Sequence, residues 1–89
     1  MRDQSFDIYS ERYVHLYGDI KDGCLHLESL VFGEEYDSEK HYSFTKEETE
    51  RLFEILPLKE FIELCRHEHV SGMEAFFTEH GLEPATFTF

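Results

Sequence analysis

The dipeptide Asp22-Gly23, inside YVHLYGDIKDGCLHLE, constrains this chain more than any other feature. Both central positions of a type I′ turn need positive φ, which Asp tolerates and Gly adopts freely. Two such residues between alternating apolar runs therefore specify a tight β-hairpin. A two-residue turn also fixes the register. Lys21 stands opposite Cys24, Ile20 opposite Leu25, Asp19 opposite His26 and Gly18 opposite Leu27. Alternation then sorts the side chains by face. Val14, Leu16, Gly18, Ile20, Leu25 and Leu27 share the side that must point into a core. Tyr13, His15, Tyr17, Asp19, Cys24, His26 and Glu28 share the other side.

The rest of the chain supplies shorter signals. SFDIYS reads as a strand before the hairpin, and HYSF as one after the acidic turn GEEYDSEK. TKEE places Thr45 at a helix N-cap with Glu48 at the third helical position, a capping box that starts a first helix. Pro57 ends or kinks it, because proline lacks an N–H and restricts the residue before it. Leu58, Phe61, Ile62 and Cys65 then recur at helical spacing and define the buried face of a second helix. SGME repeats the capping-box pattern with Ser71 and Glu74, which predicts a third helix running to His80. Gly81 suits a left-handed helix terminus, and Pro84 prevents continuation. ATFTF alternates as a last strand. The expectation is a single α+β domain over residues 1–89. Its mainly antiparallel sheet, built from the N-terminal hairpin, a further strand and a C-terminal strand, carries three helices on one face.

Charge narrows the function. Twenty acidic residues against eight basic ones give a net charge of −12, yet the chain is 40% hydrophobic and 16% aromatic, which marks a folded domain and not an acidic tail. Nucleic acid and anionic membranes both require cationic neutralisation, so this balance speaks against either as a direct partner and favours a basic protein surface. Acidity for solubility alone is the plain alternative. No stretch approaches the roughly 20 apolar residues of a membrane span, and the charged N-terminus does not resemble a signal peptide. A cytoplasmic protein with Cys24 and Cys65 reduced is expected.

Two constellations invite a chemical reading. CRHEH, Cys65 to His69, offers metal-binding residue types, but His67 points about 200° away from Cys65 on a helix, and no second ligand pair follows at zinc-finger spacing. Cys65 continues an apolar stripe, while Arg66, His67 and His69 suit the last turn of a helix, where cations meet the free carbonyls. Cys24, His26 and Asp19 share the outer hairpin face, yet residues two apart on a strand sit roughly 6.5–7 Å apart, too far for a nucleophile and its base. EEYDSEK lacks the ligand spacing of a calcium loop. No catalytic residue, metal ligand or cofactor is therefore assigned.

The run LHLESLVFGEEYDSEKHYSFTKEETERLFEIL, with the ending FFTEHGLEPATFTF, resembles a group of small acidic bacterial proteins of unassigned function. Those pair a strand and a Gly-acidic-Tyr turn with a Y-x-F-x-x-E-x-T-x-x-L-F strand-to-helix step, and they end in a helix, a glycine and an aromatic strand. The likeness covers about Gly23 to Phe89. ESLVFG stands where that group has a Gly-Gln-Asp-Leu-Gly turn. The resemblance implies the α+β order and no catalytic residue. The function expected is that of a small acidic, non-enzymatic binding protein that covers a basic surface of another protein. An immunity protein for a nuclease toxin and a phage inhibitor of a nucleic-acid enzyme are the models for it. Its contact residues would be Tyr13, His15, Tyr17, Asp19, His26 and Glu28 from the hairpin and Glu34, Glu35, Tyr36 and Asp37 from the acidic turn. A monomer or weak homodimer is expected. The alternatives are an accessory protein working as a homodimer through an exposed sheet edge and, disfavoured by the spacings above, a metal- or thiol-dependent enzyme.

Overall fold

The computed structural model describes residues 2–33 and 37–89, and among these it holds five strands and two helices. Strands β1 (Gln4–Ser10), β2 (Val14–Lys21), β3 (Cys24–Phe32), β4 (Asp37–Ser43) and β5 (Ala85–Thr88) lie side by side in that order, and each neighbouring pair is antiparallel. Helices α1 (Lys46–Ile55) and α2 (Leu58–Glu79) connect β4 to β5 and pack on one face of the sheet. No helix among the described residues is long and apolar enough to cross a membrane. Glu34, Glu35 and Tyr36, expected in the acidic turn, lie outside the described residues.

The hairpin adopts the register that its turn demands. Asp22 and Gly23 have φ of 52° and 80°, and the β2–β3 pairing runs from Lys21 opposite Cys24 to Val14 opposite Val31. Leu16, Ile20, Leu25 and Leu27 are buried, as their face requires. They meet Leu52 of α1 and Phe61, Cys65, Met73 and Phe77 of α2, with Ile8 and Tyr42 from the flanking strands. Each such side chain contributes about 1.5–3 kcal/mol when fully buried, so a core of this size depends on every member. Gly18 belongs to the same layer for a steric reason. A Cβ there would lie 2.8 Å from Leu27 Cδ2 and 3.0 Å from the carbonyl oxygen of His26.

Helix α1 starts at the predicted capping box. Glu48 N–H donates to Thr45 Oγ1, and Thr45 N–H donates to Glu48 Oε1, both at 3.1 Å. Buried Thr49, one turn in, ties the helix to the hairpin. Its hydroxyl accepts from the Leu25 N–H at 2.9 Å and donates to the Thr45 carbonyl at 2.8 Å. Leu56 is extended, as a residue before proline must be, and Pro57 opens α2.

The expected third helix is absent from the described residues. Leu58–Glu79 is one helix bent at His69, whose φ of 61° and ψ of −166° are not helical. The helical backbone breaks at His69, two residues before Ser71, but Glu74 is drawn to the sheet and closes no capping box with Ser71. Glu74 Oε1 accepts from the Tyr42 hydroxyl at 3.0 Å, and Glu74 Oε2 pairs with Lys40 Nζ at 3.2 Å. Ser71 thus lies inside α2, two residues beyond the bend. The end of α2 follows expectation. Gly81 has φ of 66°, Leu82 N–H donates to the Phe77 carbonyl at 2.8 Å and Gly81 N–H to the Thr78 carbonyl at 3.2 Å, the two bonds of a Schellman motif.

Candidate functional site on the outer sheet face

The helices leave the second face of the sheet uncovered, and strand alternation decides what stands on it. From β2 come His15, Tyr17 and Asp19, with Tyr13 just before the strand. From β3 come His26, Glu28, Leu30 and Phe32. From β4 come Asp37, Glu39, His41 and Ser43, from β1 Ser5 and Asp7, and from the C-terminal edge Phe87 and Phe89. These include Tyr13, His15, Tyr17, Asp19, His26 and Glu28 of the hairpin residues expected to face outward, and Cys24 continues the same side at the turn. Asp37 joins them at the far end, opposite Phe32.

The register brings the polar side chains into contact. Tyr17 and Glu28 are directly opposed, and the Tyr17 hydroxyl donates to Glu28 Oε2. Asp19 faces His26 across the same pair of strands, with Asp19 Oδ1 3.9 Å from His26 Nδ1. At the β1 side, His15 Nε2 lies 3.1 Å from Asp7 Oδ1. At the β4 side, Glu28 is opposite His41, and Glu28 Oε1 lies 3.4 Å from His41 Nδ1. His26 Nε2 also reaches His41 Nδ1, at 3.1 Å, while His41 Nε2 contacts Glu39 Oε2 at 3.0 Å. The Phe89 ring stands edge-on to His41, with centroids 5.0 Å apart. His41 and Glu28 are consequently only 18% and 21% exposed, on a face that is otherwise open.

His26, Glu28 and His41 each offer one ligand atom within 4.8 Å of the others, which makes them the group able to hold a metal ion among the described residues. Sequence reasoning placed His26 and Glu28 on this face but omitted His41 and Glu39. A signal for them existed. Tyr42 and Phe44 are large apolar residues two apart, so the alternation of DSEKHYSF turns Glu39, His41 and Ser43 outward.

The other two constellations resolve differently. Cys65 is fully buried, and burial pushes its thiol up to about 12, which leaves almost no thiolate for chemistry or metal binding near neutral pH. Arg66 Nε donates to the Ile8 carbonyl at 2.6 Å. That carbonyl sits where the β1–β2 register shifts between Asp7 and Tyr9, so the arginine satisfies an acceptor at an irregular point of the ladder. His69 occupies the bend of α2, where the backbone leaves the helix, with its Nε2 3.1 Å from Glu11 Oε1 and its ring against Tyr9. Cys65, His67 and His69 therefore form no common ligand set among the described residues. Cys24 Sγ lies 3.9 Å from the Asp22 carbonyl, back toward its own turn. Comparisons with protein-family models, with curated proteins and with solved structures find no match for this chain.

Proposed function

We propose that this protein is an acidic binding module whose outer sheet face docks on a basic surface of another protein. One observation carries the reading. The outward positions of the described strands hold Asp7, Asp19, Glu28, Asp37 and Glu39 beside aromatic residues and histidines, against a single lysine, Lys21, at the turn end of β2. Interfaces are enriched in Tyr and Phe, and a carboxylate-rich field attracts and orients an Arg- or Lys-rich partner. Three of the other cations have partners within the chain. Lys40 pairs with Glu74 on the helix side, Arg66 with Ile8, and Arg12 lies over the Tyr13 ring. A net charge of −12 on so small a body adds long-range steering. Inhibition of a nucleic-acid enzyme, by an immunity protein or a phage product, is the finer form of this proposal, since such enzymes expose basic clefts.

The test is affinity capture from the source cell, repeated at low and high salt. The proposal expects a basic protein held at low salt and released at high salt. Capture of no basic protein, or of one indifferent to salt, contradicts it.

A second reading has its own support. Edge strand β5 is only four residues long and leaves Phe87 and Phe89 52% and 74% exposed. A homodimer closed over that edge would cover them, and sedimentation equilibrium distinguishes it from a monomer.

A further inference from the structure

We infer that His26, Glu28 and His41 bind a d-block divalent cation, with Zn²⁺ as the representative ion. The inference stands apart from the docking proposal, because it rests on donor identity and geometry and not on net charge. Two imidazoles and one carboxylate are a ligand set suited to zinc and its first-row neighbours, and poorly suited to Mg²⁺ or Ca²⁺, which prefer oxygen alone. Around a tetrahedral ion with bonds of about 2.0–2.1 Å, neighbouring ligand atoms stand roughly 3.3 Å apart. His41 Nδ1 lies 3.4 Å from Glu28 Oε1 and 3.1 Å from His26 Nε2, already near that spacing.

The surroundings of the three residues argue for the same assignment. A metal-binding histidine is usually held by a carboxylate on its other ring nitrogen, which fixes the tautomer and aims the free lone pair. His41 meets Glu39 in this way at 3.0 Å through Nε2, leaving Nδ1 directed at Glu28 and His26. His26 has Asp19 Oδ1 and Glu28 Oε1 both 3.9 Å from its Nδ1, beyond hydrogen-bond distance, with Nε2 directed at His41. Glu28 has one oxygen engaged by the Tyr17 hydroxyl, which leaves Oε1 for the ion. Strands β3 and β4 supply the three ligands and β2 supplies Tyr17 and Asp19 beside them, so backbone pairing and not a mobile loop sets their spacing. The hydrogen bond between His26 and His41 is the contact an ion would replace. Three protein ligands leave a fourth position toward solvent, for water or a donor atom of a docked molecule.

Titrating chelator-stripped full-length protein with Zn²⁺ in a calorimeter, and with Co²⁺ by visible absorption, tests the inference. One ion per chain is expected, with no competition from Mg²⁺ or Ca²⁺. His26→Gln and His41→Gln should each abolish saturable binding. Glu39→Gln should weaken it about 10–100-fold with all three ligands still present, an effect that a purely structural Glu39 would not produce. The double variant His67→Gln/His69→Gln should bind as the wild type does. Circular dichroism of each variant checks the fold, and if a histidine variant fails to fold, Glu39→Gln decides. The inference is overturned by a wild type that binds no Zn²⁺ at submillimolar metal, by binding that survives His41→Gln, or by binding lost with His67 and His69.

Discussion

Cys65 shows how one buried side chain couples this fold to pH. Its thiol is raised from 9.0 to about 12 by burial alone, so the folded chain holds that proton more tightly than the unfolded chain does. The stabilisation is complete below about pH 9 and is lost as pH climbs from there toward the folded value. Tyr42, raised by burial and by its bond to Glu74, acts in the same direction at still higher pH. Cys65→Ala removes the first of these titrations while costing some packing at all pH values. Between about pH 8 and pH 10.5 the wild type should lose on the order of 2 kcal/mol of unfolding free energy more than Cys65→Ala does. Urea melts at the two pH values measure this, and parallel losses would contradict it. The same burial predicts that iodoacetamide labels half-exposed Cys24 in the native protein and spares Cys65.

At the scale of elements, the hairpin and the bend in α2 make contrasting tests. Leu25 stands on the buried hairpin face and Tyr17 on the outer one. Leu25→Asp should unfold the domain, because it buries an unpaired charge, whereas Tyr17→Ala should retain the native circular dichroism spectrum. Equal damage from both would mean that the β2–β3 faces are assigned wrongly. The bend places His69 in a region that essentially only glycine occupies without strain, at a cost of about 1–3 kcal/mol. Its exposed pairing with Glu11 returns only about 0–1 kcal/mol. His69→Gly should therefore leave stability equal or raise it by about 1 kcal/mol in denaturant melts. A clear destabilisation would show that the contacts with Tyr9 and Glu11 outweigh the backbone strain. These two elements also show what could be read from sequence. The hairpin register was legible because a two-residue turn leaves no freedom. The form of α2 was less so, because the Ser71 and Glu74 signal lies just past the backbone break at His69, yet Tyr42 and Lys40, some thirty residues away, bind Glu74 and no new cap forms. Long-range competition of that kind leaves no local trace. The outer face was half legible for a similar reason. Its β2 and β3 members follow from the turn, whereas the contacts of Glu39 and His41 depend on a β3–β4 register that no Asp-Gly or Asn-Gly dipeptide marks in the sequence.

Over the whole molecule, an acidic sheet face lies opposite a helical layer that is also acidic, so total charge alone does not decide which surface binds. Glu50 and Glu54 are exposed on α1, on the far side from Asp7 and Asp37. Asp7→Lys/Asp37→Lys and Glu50→Lys/Glu54→Lys change the net charge equally and leave His26, Glu28 and His41 in place. All four positions are exposed, so neither variant should unfold the domain. Steering by the whole field would slow association alike in both, whereas a docking face makes the position of the charge matter. The decisive measurement is the association rate of the captured basic protein with the wild type and both variants, at about 0.05 M and 0.5 M salt. The account predicts that the sheet-face variant associates at least about tenfold more slowly at low salt, that the helix variant stays within about threefold of the wild type, and that high salt compresses the difference. Equal slowing of both variants, or no slowing of the sheet-face variant, would contradict the outer sheet face as the binding surface.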